Sequence, residues 1–386
     1  MRIVHTSDWH AGRIWKGIHR LDELGQVLEH LGDFLEKEKV DLLLMSGDVF
    51  DTGAPNPEAE KLVFSFFKRT GQAGIPSVVI AGNHDSPTRL QAWGTLAELV
   101  DVHTVGVPRR AEQGGILDIT TKSGERARVA AVPFAPVHRL VSAMELAGEE
   151  TRVRQKYDDM MRAIVRHLSD HFSAETVNLM TAHTHLHGVA FSGSEREVHL
   201  GEQWATTAQA LPSTAHYVAL GHIHRPQRVT AAPSPTYYAG SPLQLDFGEE
   251  GEEKSFVVIE AQPRNPAHVE RQTYEGGTRL ETITAGLDQL EQDAEKLSRA
   301  GYLRVKVPLL VPDPDINSKV RRILPNAVTV EVELPQGPEE TDETRPPRGA
   351  PPRELFRAYF VNRHGNEPDP DLLEAFDRLH EGSESK

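Results

Sequence analysis

The chain has 386 residues, 38% of them hydrophobic and 26% charged, which suits a soluble globular protein of two or three folded units. It lacks cysteine, which excludes disulfides and thiolate metal sites and suits a cytoplasmic address; no apolar run is long enough to span a membrane, and Asp8 and His10 interrupt the opening stretch too early for a signal peptide. The net charge of −15 opposes simple electrostatic capture of nucleic acid, but residues 335–386 alone hold −5 of it and bound divalent cations would offset more, so DNA stays open as a substrate.

In chain order, Ile3-Val4-His5-Thr6 reads as an apolar strand that stops at Asp8 and His10. Leu21, Leu24, Leu28, Leu31 and Leu35 keep helical spacing. "DLLLMSGDVFD" is a second strand ending at Asp48, and Leu62, Val63, Phe66 and Phe67 mark a second helix. "SVVIAGNHD" ends at Asn83, His84 and Asp85, "TVNLMTAHTH" at His183, and "HYVALGHIH" at His222 and His224. Gly47, Gly82 and Gly221 lie just before the polar residues of three of these ends, where a sharp turn or a close approach is needed. Alternation of strand and helix predicts an α/β architecture, in which ligands gather beyond the carboxyl ends of the strands. Five polar strand ends should therefore meet in one crevice.

Further on, Gly106 to Arg128 is polar and "RVAAVPF" is a strand. "GSPLQLDFGEEGEEKSFVVIE" predicts two strands around an acidic, mobile loop at Glu249 to Glu253. These extra strands suit a sheet-on-sheet core covered by helices. Residues 279–334 alternate strand and helix as a small α/β unit, and 335–353 are Pro-rich and charged, the composition of an extended linker. Within 354–386 two helices follow. Leu355, Phe356, Tyr359 and Phe360 line one apolar face and Leu372, Leu373, Phe376 and Leu379 another, and such faces need a partner or the parent domain to cover them.

The strand-end set is Asp8, His10, Asp48, Asn83, His183, His222 and His224: two carboxylates, an amide and four imidazoles, with no sulfur. Such ligands suit manganese, iron or zinc. Seven are too many for one ion and fit two, with Asp48, from a central strand, as the bridge. Two ions about 3.5–4 Å apart can activate water and clamp the oxygens of an in-line displacement at phosphorus. Each motif alone has an ordinary reading: D-x-H is common, Gly-Asp is turn chemistry, and "GHIH" could be a surface pair. Five of them in this order outweigh those readings. Asp51 reads as an acceptor behind the ligands or as a turn residue. His185 and His187 read as solvated loop residues. Arg13, Lys16 and Arg89 either contact phosphates of DNA or are solvated loop charges.

D-x-H, GDxxD, GNHD, a lone histidine after a strand and GHxH together resemble the calcineurin-like metallophosphoesterase superfamily. The fuller strings "RIVHTSDWHAGR", "LLLMSGDVFDTGAP", "VVIAGNHDSPTRL", "YVALGHIHRPQ" and "YYAGSPLQLDFGE" are similar to the bacterial SbcD family, the nuclease component of the SbcC–SbcD DNA-processing complex. The resemblance implies a two-sheet β-sandwich flanked by helices over residues 1–278, a capping domain over 279–334 and C-terminal helices that dock on an SbcC-type ATPase. It implies that Asp8, His10, Asp48 and His224 hold one ion and Asp48, Asn83, His183 and His222 the other. His84 would face the scissile phosphate, with its ring fixed by Asp85. Manganese is the implied working ion, and a homodimer the implied assembly. One departure is Ala182, where the family pattern has glycine before the lone histidine. The expected activity is exonuclease action on double-stranded DNA and endonuclease action on single strands and hairpins. The alternative is a small-molecule phosphoesterase or cyclic-nucleotide phosphodiesterase; a scaffold with a decayed site is the rival from another class.

Overall fold

The computed structural model describes residues 1–136, 157–195, 205–334, 351–364 and 367–384. His138, whose polar surroundings read as surface, and residues 335–350, most of the expected linker, lie outside them. The core is a sandwich of two six-stranded sheets. The first runs His268–Thr273, Ser255–Glu260, Arg2–Thr6, Leu42–Met45, Ser77–Ile80, Val102–Val105. The second runs Gln227–Arg228, Thr236–Tyr238, Tyr217–Gly221, Val177–His183, Arg126–Val132, Ile116–Thr120.

Each sheet is covered on both faces, which explains why its central strands are continuously apolar rather than alternating. Ile3, Leu42, Leu44 and Val78 of the first sheet meet Val129, Leu179, Tyr217 and Ala219 of the second between the layers. The opposite faces, with Val4, Leu43, Met45 and Val79, pack on helices Leu21–Lys37 and Pro57–Gln72. Met180, Ala182, Val218 and Leu220 pack on helix Tyr157–Ser169. The strands Arg2–Thr6, Leu42–Met45, Ser77–Ile80 and Val102–Val105 are parallel to one another, as are Arg126–Val132, Val177–His183, Tyr217–Gly221 and Thr236–Tyr238. Their carboxyl ends therefore gather along the sandwich edges as α/β geometry requires.

Strands Leu280–Thr284, Tyr302–Pro308 and Ala327–Glu333 form a separate parallel sheet with its own core of Leu290, Leu303, Val305, Ile316 and Val320. It is joined to the sandwich by a small hairpin, Ile14–Trp15 and Ile18–His19, that leaves the first motif. Trp15 is buried with Phe247 and Leu280, its indole N–H donates to Asp246 Oδ2 at 3.0 Å, and its ring lies 6.0 Å from that of Tyr302. Arg20 places its guanidinium over both Trp15 and Tyr302 (5.8 and 5.2 Å) and donates to the Gln244 carbonyl at 3.0 Å.

Three expectations need correction. The polar stretch after Gly106 contains a strand, Ile116–Thr120, paired antiparallel with Arg126–Val132. The run "YLRVKVPLLV" reads as one strand through Val311, but the strand from Tyr302 ends at Pro308, because Leu310 and Val311 are exposed and have no sheet to join. Of the two strands predicted around an acidic mobile loop only Ser255–Glu260 forms, and Glu249 is wholly buried. Helices Pro352–His364 and Pro370–Glu384 pair through stacked Phe356 and Phe376 rings, centroids 4.3 Å apart. No helix among the described residues is long and apolar enough to cross a membrane.

Candidate metal centre

The first motif splits its residues by direction. Trp9 turns into the helical layer, against Phe66 and Phe67, and its indole N–H donates to Thr6 Oγ1 at 2.8 Å. Asp8 and His10, on either side, take left-handed backbone (φ +54° and +46°), as do Asp48 (+51°) and His222 (+102°). Non-glycine residues rarely occupy that region, at about 1–3 kcal/mol each, and four clustered at one site indicate backbone held for a purpose other than folding. The turns also press together: Gly47 and Gly82 are in such close contact that a methyl group on Gly82 would collide with Asp48. Ala182 lies within a regular strand, paired with Leu220 and Val132, so the departure from glycine strains nothing there.

All seven strand-end residues converge. Asn83 Oδ1 lies 2.9 Å from His183 Nε2 and 2.9 Å from His222 Nδ1. His10 Nε2 faces His224 Nε2 at 3.1 Å. Asp48 Oδ2 is 3.5 Å from His183 Nε2 and 3.8 Å from His10 Nε2, which puts it between the two groups. Asp8 with His10 and His224, Asp8 with Asp48 and His183, and Asp48 with His10 and His84 are each close enough to share one cation.

The hydrogen bonds behind the rings test whether this donor set fits metal. His183 Nδ1 donates to the Ser46 carbonyl at 2.8 Å, which leaves Nε2 with a lone pair pointed at another acceptor, the Asn83 oxygen. His10 Nδ1 sits 3.3 Å from Asp51 Oδ1, and His224 Nδ1 2.5 Å from Ser194 Oγ, so their Nε2 atoms also meet lone pair to lone pair. Such contacts need a cation, or a proton in its stead. Electrostatics agree. Burial alone would raise the Asp48 carboxyl, but His183 holds it well below the usual carboxylate range. Burial alone would lower His183, yet Asp48 raises it to about 9. Burial lifts Asp8 to about 7 and depresses His10 to about 3.

His84 is half-buried, with its backbone N–H donating to Asp48 Oδ1 at 2.8 Å. The ring was expected to lean on Asp85, and here the structure differs. His84 Nδ1 faces the Asp51 carbonyl oxygen at 2.7 Å, while Asp85 accepts from the backbone N–H groups of Gly82 (2.8 Å), Phe50 (3.0 Å) and Val49 (3.2 Å). Asp85 braces the Asp48 turn. The reason is chain geometry: the turn after Ile80 folds Asp85 back onto its own Gly82 N–H and against the Val49 and Phe50 N–H groups of the neighbouring turn.

The basic residues are also engaged. Arg13 lies 3.4 Å from Asp51 and Arg89 is 2.6 Å from Glu60, so both already face carboxylates, whereas Lys16 is exposed at the tip of the small hairpin. His185 is buried, not solvated, with its ring 4.9 Å from Phe191 and 6.5 Å from His222; His187 is exposed. Sequence reading missed a whole group. Glu249, Lys254, Ser194 and Glu195 are packed around His224. The one available signal was a lysine set just before the apolar run "FVVI".

The profile of the calcineurin-like phosphoesterase family matches residues 1–226. The SbcD component of nuclease SbcCD from Bacillus subtilis (strain 168) is 35% identical over 268 residues, covering 69% of this chain and 68% of that protein. The chain belongs to the calcineurin-like phosphoesterase family, in its SbcD branch. A second SbcD relative, the corresponding component of nuclease SbcCD from Rhodobacter capsulatus, is 29% identical over 382 residues, covering 92% of both chains. Among solved structures, a dimetal phosphatase from Danio rerio aligns with a TM-score of 0.42 and 10% identity over 71% of this chain and 99% of its own. As an SbcD-type phosphoesterase the protein is a metal-dependent enzyme acting on phosphoester bonds, and its clustered His and Asp side chains suit divalent cations.

Proposed function

We propose that this SbcD-type enzyme is a two-metal DNA nuclease, an exonuclease on double strands and an endonuclease on single strands and hairpins. It would work with an SbcC-type ATPase in the cytoplasm during DNA end processing, repair and recombination. The observation that carries the reading is the pair of lone-pair encounters, His183 with Asn83 and His10 with His224, joined by Asp48. Asp8, His10, Asp48 and His224 would hold one ion and Asp48, Asn83, His183 and His222 the other; this mix of imidazole, amide and carboxylate suits manganese, iron or zinc, and the SbcD resemblance implies manganese. Such ions, when bound, supply charge stabilisation at phosphorus and a more acidic water.

The chain's own groups do the rest. His84, with Nδ1 committed to the Asp51 carbonyl, would present Nε2 to the scissile phosphate and, when protonated there, give that proton to the departing oxygen. Asp85 keeps the turn that carries Asp48 and His84 in place. Residues 279–334 would cap the site and help select the nucleic acid, and Lys16 is the exposed cation nearest in sequence to the first motif for phosphate contact. The helices after 351, with Leu355, Tyr359 and Leu379 exposed, would dock on the ATPase, and two such chains would form the dimer at the centre of the assembly.

The test is hydrolysis with manganese of linear duplex DNA, hairpin DNA and bis-p-nitrophenyl phosphate, with and without the ATPase partner and ATP. Cleavage of both DNAs that Asp48→Ala abolishes supports the reading. Turnover of the small ester alone, under all conditions, would instead favour a small-molecule phosphoesterase.

A further inference from the structure

His224 is held at three points by residues distant in the chain. Its backbone N–H donates to Glu195 Oε1 at 3.1 Å, its carbonyl accepts from Lys254 Nζ at 3.0 Å, and its ring Nδ1 lies 2.5 Å from Ser194 Oγ. Behind these sits Glu249, wholly buried. One carboxylate oxygen, Oε1, accepts from the Ser194 hydroxyl and lies 3.5 Å from His224 Nδ1. The other, Oε2, accepts from Lys254 Nζ at 2.6 Å and from the Leu245 N–H at 3.0 Å.

The direction of this chain of bonds is determined. Glu249 faces the Lys254 ammonium at 2.6 Å and the Leu245 N–H at 3.0 Å, both donors, so its carboxylate only accepts. Ser194 must spend its one hydroxyl proton on Glu249. Its remaining lone pairs can then only receive a proton from His224 Nδ1. The imidazole is thereby locked with hydrogen on Nδ1 and a lone pair on Nε2, the atom that faces His10 at 3.1 Å. A buried ion pair is a poor way to gain stability, since its desolvation cost is often matched by simple apolar packing. The position of this one, with both partners touching the same histidine, gives it another use.

We propose that the buried Glu249–Lys254 pair, relayed by Ser194, is a positioning device for His224 that sets the affinity of one of the two cation subsites. The inference rests on His224 being a ligand, as in the functional reading above.

The experiment uses the full-length, metal-stripped chain. Manganese chloride is titrated calorimetrically and by low-temperature electron paramagnetic resonance, and the His224 ring tautomer is read from its 15N shifts without metal at alkaline pH, where the ring is neutral. In Glu249→Gln, one class of manganese site should weaken by about 10–100-fold while the other stays unchanged, and His224 should lose its single Nδ1–H tautomer. Glu249→Gln leaves Lys254 paired only with Glu252 at 3.0 Å, so the double variant E249Q/K254M, which removes both members of the buried pair and leaves Glu252 facing Arg225 at 3.7 Å, should show the same metal and tautomer defects. Ser194→Ala, which spares the ion pair, should shift the tautomer too. Wild-type affinity at both subsites with an unchanged tautomer in E249Q/K254M and S194A would overturn the proposal. Fewer than two ions on the wild-type chain, with the tautomer still lost in the variants, would sink the two-metal reading and leave the positioning role standing.

Discussion

His183 and Asn83 meet with Nε2 and Oδ1 2.9 Å apart, while the other ring nitrogen of His183 is tied to the Ser46 carbonyl at 2.8 Å. Two acceptors this close are stable only around a positive charge. Without metal that charge is a proton, which is why Asp48 can lift His183 to about 9 against the effect of burial.

A pH dependence follows, and its sign is fixed. His183 in the metal-free fold has its pKa raised from 6.5 to about 9, so the stability it adds is complete below pH 6.5 and lost as pH rises through about 9. Asp8, raised by burial from 3.8 to about 7, works in the same direction between those two values, so its loss is nearly complete where that of His183 begins. Metal-free protein should melt at progressively lower temperature from pH 6.5 to 9, and manganese should remove most of the decline. Binding near neutral pH should release about one proton per chain, measured by calorimetry in buffers of different ionisation enthalpy. A flat melting profile without metal would refute this account.

Asp85→Asn tests the brace under the Asp48 turn. Three amide N–H groups converge on the carboxylate, and an amide side chain would offer one of them a donor in place of an acceptor. Urea unfolding should show a loss of about 1–3 kcal/mol, with weaker manganese binding as the turn loosens. If Asp85 served only the His84 ring, stability would not change.

For His84→Gln the expected pattern is the opposite. The residue contributes a ring at the rim of the site, so the fold and two bound ions should survive. The maximal rate on a phosphodiester should fall by about 10²–10⁴-fold. Metal content by mass spectrometry alongside kcat separates this from loss of a ligand.

Trp15→Ala addresses how the 280–333 unit is held. Trp15 packs with Phe247 and Leu280 and bonds Asp246. Truncation should cost about 3–5 kcal/mol and speed amide hydrogen exchange in Tyr302–Pro308. Unchanged exchange there would mean that Arg20 and its partners suffice.

The strand ends were legible in the sequence because each pairs an unbroken apolar run, the mark of a strand buried on both faces, with an abrupt polar stop. Asp8, His10, Asp48, Asn83, His183, His222 and His224 all carry that signature, and the structure brings them together. The helices were legible from the leucine spacing that now faces the first sheet. What the pattern hid were partners set by tertiary folding. Asp85 looked like a neighbour for the ring beside it, but its carboxylate was claimed by amides from another strand end. Glu249 stood among acidic residues and so read as solvated, although a lysine five positions on draws it inside. His185 read as a loop residue because two-residue strand pairings such as His185–Leu186 with Ala205–Thr206 leave no periodic trace.

Asp8, His10, Asp48 and Asn83 come from one sheet, and His183, His222 and His224 from the other. Cations shared by that set would act as rivets through the two layers, tying segments as far apart in sequence as Asp8 and His222. Chelation should then do more than silence the enzyme: at a pH where His183 has also lost its proton, the layers, left with repelling lone pairs at that rim, should part there first.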